Sequence, residues 1–82
     1  MIDVVYFAWV RERIGLPREQ IETSATTIMD LVEELKSRDP RYDAAFSDLD
    51  SLRVAVDQEL ADFDAPLAGV RELAFFPPMT GG

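Results

Sequence analysis

The sequence predicts a two-layer α+β domain: a mixed sheet of four to five strands with one main helix on one face. Three observations predict it. The chain has 82 residues, a length for one domain with a single modest core. A strong helical period occurs once, at Ile28, Leu31, Val32 and Leu35, whereas strand-like runs recur at 2–10, 52–56 and 71–76. With one helix for several strands, the helix covers a single face, which makes two layers.

Taken in order, Ile2 to Val10 is β-branched and aromatic with one acid, Asp3, and reads as a strand. Alternation puts Ile2, Val4, Tyr6, Ala8 and Val10 on one face, and Val5, Phe7 and Trp9 with Asp3 on the other. Gly15-Leu16-Pro17-Arg18 is a turn, and Glu19 to Ser24, with one apolar residue, returns as an antiparallel edge strand. The helix follows, with Thr27 as N-cap, Asp30 in the first turn, Lys36 and Arg38 in the last, and Asp39-Pro40 as its stop. Tyr42 and Phe46 stand four apart in a further helical turn, and Asp48 to Ser51 is a turn. Leu52 to Val56 is a strand with Leu52, Val54 and Val56 inward. Asp57-Gln58 turns the chain into a short return, Glu59-Leu60-Ala61. Arg71 to Phe76 is the last strand, with Leu73 and Phe75 on one face and Ala74 and Phe76 on the other. The first and last strands are the most apolar and form the natural central pair, parallel across the helical crossover.

Composition excludes much chemistry. There is no cysteine and no histidine, hence no disulfide, no thiolate metal site, no thiol nucleophile and no imidazole base. A Ser-His or Cys-His catalyst cannot be assembled from this chain, and no metal site is expected. Asp48 and Asp50 do not make a calcium loop, because neither the glycine nor the terminal glutamate falls where that loop needs it. The start of the chain lacks the basic region of a signal peptide, and no apolar run reaches the roughly 20 residues that span a bilayer. The expectation is a cytoplasmic protein. Net charge is −8, which disfavours nucleic acid and anionic membrane and favours a basic protein surface.

Two features remain that a core does not use. The helix covers the sheet face with Ile2, Val4, Val54, Leu73 and Phe75, which leaves Phe7, Trp9 and Phe76 uncovered and extended by Leu60. An exposed apolar patch on a small protein points to a partner. The second feature is the end of the sequence. A body spanning 1–76 gives way to a flexible tail, 77–82, in which Pro77 and Pro78 fix φ and remove two donors, and Met79-Thr80 lead to Gly81-Gly82. Glycine carries no Cβ, so Gly81-Gly82 can enter a slot too narrow for other residues and deliver a bare carboxylate.

These residues resemble a known family. Val5-Tyr6-Phe7-Ala8 with Val10-Arg11-Glu12, Thr27 followed by Asp30-Leu31, Ala55-Val56-Asp57-Gln58-Glu59, and Ala74-Phe75-Phe76-Pro77-Pro78 followed by Gly81-Gly82 are similar to the small, sulfur-carrying subunits of molybdopterin synthase. The resemblance covers essentially the whole chain, and Phe-Phe-Pro-Pro before a closing Gly-Gly is its most specific part. Two turns depart from the family: Asp57 stands where Asn is usual, and Gly69-Val70-Arg71-Glu72 replaces the usual Gly-Asp-Glu.

The resemblance implies a ubiquitin-like β-grasp fold and a carrier that is not catalytic alone. It implies that an ATP-dependent adenylating and sulfurating enzyme activates the Gly82 carboxylate, which becomes a thiocarboxylate. The loaded tail then gives sulfur to cyclic pyranopterin monophosphate in the large subunit of the synthase. In that scheme Gly82 reacts, Gly81 grants access, Thr80 and Met79 line the tunnel, Pro77 and Pro78 stiffen the exit, and Phe7, Leu60 and Phe76 dock the body. No cofactor is bound by this chain, and the ATP site belongs to the activating enzyme. The alternatives are a carrier for thiamine or transfer-RNA thiolation, a ubiquitin-like protein modifier, and an interaction module with an inert tail.

Overall fold

The computed structural model describes residues 1–78. Five strands, β1 (Ile2–Tyr6), β2 (Arg18–Ile21), β3 (Arg53–Val56), β4 (Glu59–Ala61) and β5 (Glu72–Phe76), form one sheet in the order β2-β1-β5-β3-β4. β1 and β5 pair in parallel at the centre, as their apolar character predicts, and the other pairs are antiparallel. Three helices, α1 (Ala8–Ile14), α2 (Ile28–Arg38) and α3 (Pro40–Ala45), and a 3₁₀ turn (Leu49–Ser51) complete the fold. The domain is a mixed-sheet α+β fold with α2 as its main helix.

α1 overturns part of the sequence reading. The first strand ends at Tyr6, not Val10, and a second helix exists where none was expected. Phe7 is still extended, but Ala8 takes φ +54° and turns the chain into the helix. Val10 and Ile14, one turn apart, are then buried together. Trp9 therefore leaves the sheet face assigned to it. It packs half-buried against the core, with the Arg13 guanidinium 4.6 Å from its ring centre, four residues on along the helix. The spacing of Val10 and Ile14 was the helical signal, and the aromatic run before it masked it. Gly15 closes α1 at φ +87°, donating its N–H to the Arg11 carbonyl.

α2 is as the sequence predicts. Its stripe of Ile28, Leu31, Val32 and Leu35 is buried, and Thr27 Oγ1 accepts from the Asp30 N–H at 3.1 Å. Two further helix-start donors find partners in the 62–70 segment: Ile28 N–H donates to the Ala65 carbonyl and Met29 N–H to that of Phe63. Asp39 ends α2 and its carboxylate caps α3, accepting from the Arg41 N–H at 2.9 Å, with Pro40 at the first helical position.

The core is one cluster. Ile2, Val4, Tyr6, Ile21, Val54, Leu73 and Phe75 from the sheet meet the α2 stripe, Val10 and Ile14 of α1, and Tyr42, Ala45 and Phe46 around α3. Phe75 sits at its centre, with the rings of Phe46, Tyr6 and Phe63 at 5.0, 6.2 and 6.4 Å. All three helices thus contribute to one side of the sheet.

Candidate functional site

The other side of the sheet is open. Strand alternation sends the side chains between the core residues outward, and none of Val5, Ala55, Leu60, Ala74 and Phe76 is buried. Register lines them up. Arg18 pairs with Val5, Val5 with Ala74, Ala74 with Ala55, and Ala55 with Leu60, one row across all five strands. In the next row toward the end of β5, Phe76 pairs with Arg53. Phe7 continues the extended run of β1, its N–H donating to the Phe75 carbonyl, and so extends that row on the other flank of Phe76.

The three docking residues expected from the sequence are therefore brought together. Phe7 is 47% exposed and Leu60 74%, the largest exposed hydrophobic side chains of the described chain apart from Met1. Phe76 is half-buried between them. The small side chains of Ala74 and Ala55 make a shallow floor, so Phe7, Phe76 and Leu60 stand above it. The 62–70 segment does not roof this face. Instead it bonds to the start of α2, with Leu67 N–H on the Thr26 carbonyl, and stacks Phe63 on Phe75 on the core side. Alternation already puts Val5 and Ala74 on this face with Phe7 and Phe76, and the residues added by the structure are Ala55 and Arg53, each next to a buried residue of β3.

The patch ends at the root of the tail. Pro77 and Pro78 follow Phe76 directly and are half-buried. Met79, Thr80, Gly81 and Gly82 lie outside the described residues. Among the described residues no three His, Cys, Asp or Glu side chains cluster as a metal site, and no helix is long and apolar enough to cross a membrane.

The ThiS family profile matches residues 4–82. The chain belongs to the ThiS family. It is 39% identical to the molybdopterin synthase sulfur carrier subunit of Escherichia coli, over all of both chains. It is 34% identical to the subunit of that name from Haemophilus influenzae, again over all of both. Among solved structures, SAMP1 from Haloferax volcanii superposes with a TM-score of 0.77 at 26% identity, covering 99% of this chain and 98% of that one. The β-grasp fold is thus established, and Phe7, Leu60 and Phe76 sit on the open face of a ThiS-family sheet.

Two turns that depart from the pattern meet in space in this ThiS-family chain. Asp57 and Gln58 both take left-handed backbone, φ +48° and +74°, as a two-residue hairpin between β3 and β4 requires. The Asp57 carboxylate then accepts from the N–H groups of Arg71 and Glu72 at 3.1 and 2.9 Å, while Asp57 N–H donates to the Glu72 carbonyl. The turn thereby holds the start of β5. An amide oxygen would accept the same bonds, so an aspartate here keeps the geometry.

One polar site lies at the opposite edge. Glu19, half-exposed on β2, accepts from the hydroxyls of Tyr6 at 2.8 Å and Tyr42 at 2.6 Å. Its register with Val4 places it on the core side of the edge strand, where it ties β2 to α3. Burial, reinforced by hydrogen bonding to the Glu19 carboxylate and its charge, pushes the Tyr42 hydroxyl up to about 12 and that of Tyr6 higher still. These hydroxyls are acids held neutral, and their role is to hold the edge strand.

Proposed function

We propose that this chain is the sulfur carrier subunit of a molybdopterin synthase. The observation that carries the reading is the likeness over the whole length to relatives bearing that name. The open apolar face running into Phe76-Pro77-Pro78 supports it, because a carrier must dock by its body and insert its end.

The chemistry follows from the last residue. A carboxylate is a poor acyl donor, since oxide is a hopeless leaving group. An ATP-dependent activating enzyme joins the Gly82 carboxylate oxygen to the α-phosphate of ATP, and pyrophosphate departs. A sulfide equivalent then attacks the acyl carbon, AMP leaves, and a thiocarboxylate remains. Docked on the large subunit, the tail offers that sulfur to cyclic pyranopterin monophosphate, and two such transfers build the dithiolene. Six residues from Pro77 to Gly82 span about 20 Å when extended, enough to reach a buried site. Gly81 keeps the channel narrow, Met79 and Thr80 line it through their backbone, and Pro77 and Pro78 reduce the entropy lost on insertion. With no histidine or cysteine, this chain leaves general acids, general bases and the nucleotide site to its partners. The reading places the carrier in the cytoplasm beside its ATP-using enzyme.

Mass spectrometry of the chain isolated from cells tests this. An oxygen-to-sulfur mass gain at Gly82 is expected, and Gly82→Val should abolish sulfur transfer while leaving the melting curve unchanged. A ladder of adducts on many proteins would make the chain a modifier instead. A mass gain without dependence of molybdopterin on this chain would make it a carrier for thiamine or transfer-RNA thiolation. Normal loading of the Gly82→Val chain would sink the mechanism.

A further inference from the structure

Charged side chains stand at both ends of the open apolar face. Asp3 and Glu72 are direct neighbours across β1 and β5 at the end far from the tail. Like charges opposed in this way repel, and Arg18 relieves one of them by pairing with Asp3 at 3.5 Å. At the tail end stands Arg53, cross-strand from Phe76. Four residues along β5 separate Glu72 from Phe76, about 13 Å at strand rise. Asp3 and Glu72 thus mark one end of the face and Arg53 the other, where it shares a surface hollow with Leu60 and Asp62, with the row from Val5 to Leu60 between.

Four of the eight cations of the chain make ion pairs, and Arg11, Arg13, Arg53 and Arg71 make none among the described residues. Arg18, Lys36, Arg38 and Arg41 each face a carboxylate. Arg53 makes no ion pair among the described residues of a chain that carries sixteen acids. Its guanidinium is nonetheless held in place: Nη1 donates to the Leu52 carbonyl at 2.8 Å and to that of Asp50 at 3.3 Å. Among the described residues its guanidinium makes no hydrogen bond to a carboxylate. A pre-positioned, exposed guanidinium beside an apolar patch is suited to a bidentate carboxylate from another molecule.

We infer that Arg53 is a docking residue that receives a carboxylate of the large synthase subunit at the root of the tail. This rests on the function proposed above and adds a polar determinant to its apolar surface.

The test is titration of the purified large subunit with the wild-type chain and with Arg53→Gln, at about 50 mM and about 500 mM salt. The variant should bind about tenfold more weakly at low salt and approach the wild type at high salt, because the screened pair is what it lacks. Arg53→Lys, which keeps the charge without the fork, should fall between. Melting curves of all three chains should coincide, since the side chain is exposed. Equal affinities with equal salt response would overturn the inference and leave the function standing. Slower sulfur loading of Arg53→Gln with unchanged binding to the large subunit would assign the guanidinium to the activating enzyme and overturn the occupant named here. Failure of the wild-type chain to bind the large subunit would remove the proposed function itself, and this inference with it.

Discussion

Along β5, Leu73 and Phe75 are shut off from solvent, whereas Glu72, Ala74 and Phe76 alternate with them and are not. Neighbouring residues of one strand thus serve different ends. The inner face meets three helices and is closed by aromatic contacts around Phe75. The outer face has the same strand order and the same register, yet nothing in the described chain covers it. It is floored by alanines, edged by Phe7, Phe76 and Leu60, and marked by the Arg53 guanidinium, which backbone carbonyls hold in place. Burial within the chain makes the first face a source of stability. Exposure makes the second a surface whose apolar area is still available for binding.

The contrast can be broken most sharply at Phe75. Replacing it with alanine removes a fully buried ring from the centre of the cluster and should cost about 3–5 kcal/mol of stability. Chemical denaturation reads this directly, and a loss near zero would mean that the two faces are not energetically distinct. One residue on, Phe76→Asp should leave the unfolding midpoint nearly unchanged and weaken binding to the large subunit by about 2 kcal/mol or more, measured by calorimetry. A collapsed melt would instead place Phe76 in the core.

A smaller effect sharpens the comparison at the closed face's edge. Tyr6 and Tyr42 hold their protons in the folded chain above the ordinary tyrosine value of 10.0. Folding is favoured by this while both states are protonated, below about pH 10. As pH rises further, the unfolded chain loses the protons first, so stability should fall from about pH 10 upward. Tyr42→Phe should lose about 1 kcal/mol at neutral pH, with its hydrogen bond to Glu19, and show a shallower alkaline decline. A decline of unchanged slope would show that the Tyr42 proton does not contribute.

Much of the fold is legible from local pattern. The α2 stripe and its Thr27 cap are sequence-local, and they occur as expected because period and capping act within one turn. The parallel pairing of first and last strands follows from their apolar content on both sides. The stretch from Phe7 to Ile14 was not legible as a whole. Its aromatic residues favour strand, and the left-handed turn at Ala8 that starts α1 is imposed by packing Val10 and Ile14 into the core. Of the apolar side chains that alternation leaves uncovered, Phe7, Leu60 and Phe76 lie on the open face, whereas Trp9 went with the helix. The assignments to Met79, Thr80, Gly81 and Gly82 rest on the sequence.

By itself, then, the sequence determined the α+β class, the main helix, the exclusion of histidine and cysteine chemistry, and the Phe-Phe-Pro-Pro and Gly-Gly signature of the tail. These are properties of composition, period and single residues, and they need no distant partner. Tertiary structure decided which outward residues form one surface. Val5, Ala55, Leu60 and Ala74 are far apart in sequence and become one row through strand register alone. Register also brought Arg53 beside Phe76, and the hairpin geometry turned Asp57 onto the start of β5. Such juxtapositions depend on which strands pair and by what offset, a long-range outcome of burying the opposite face.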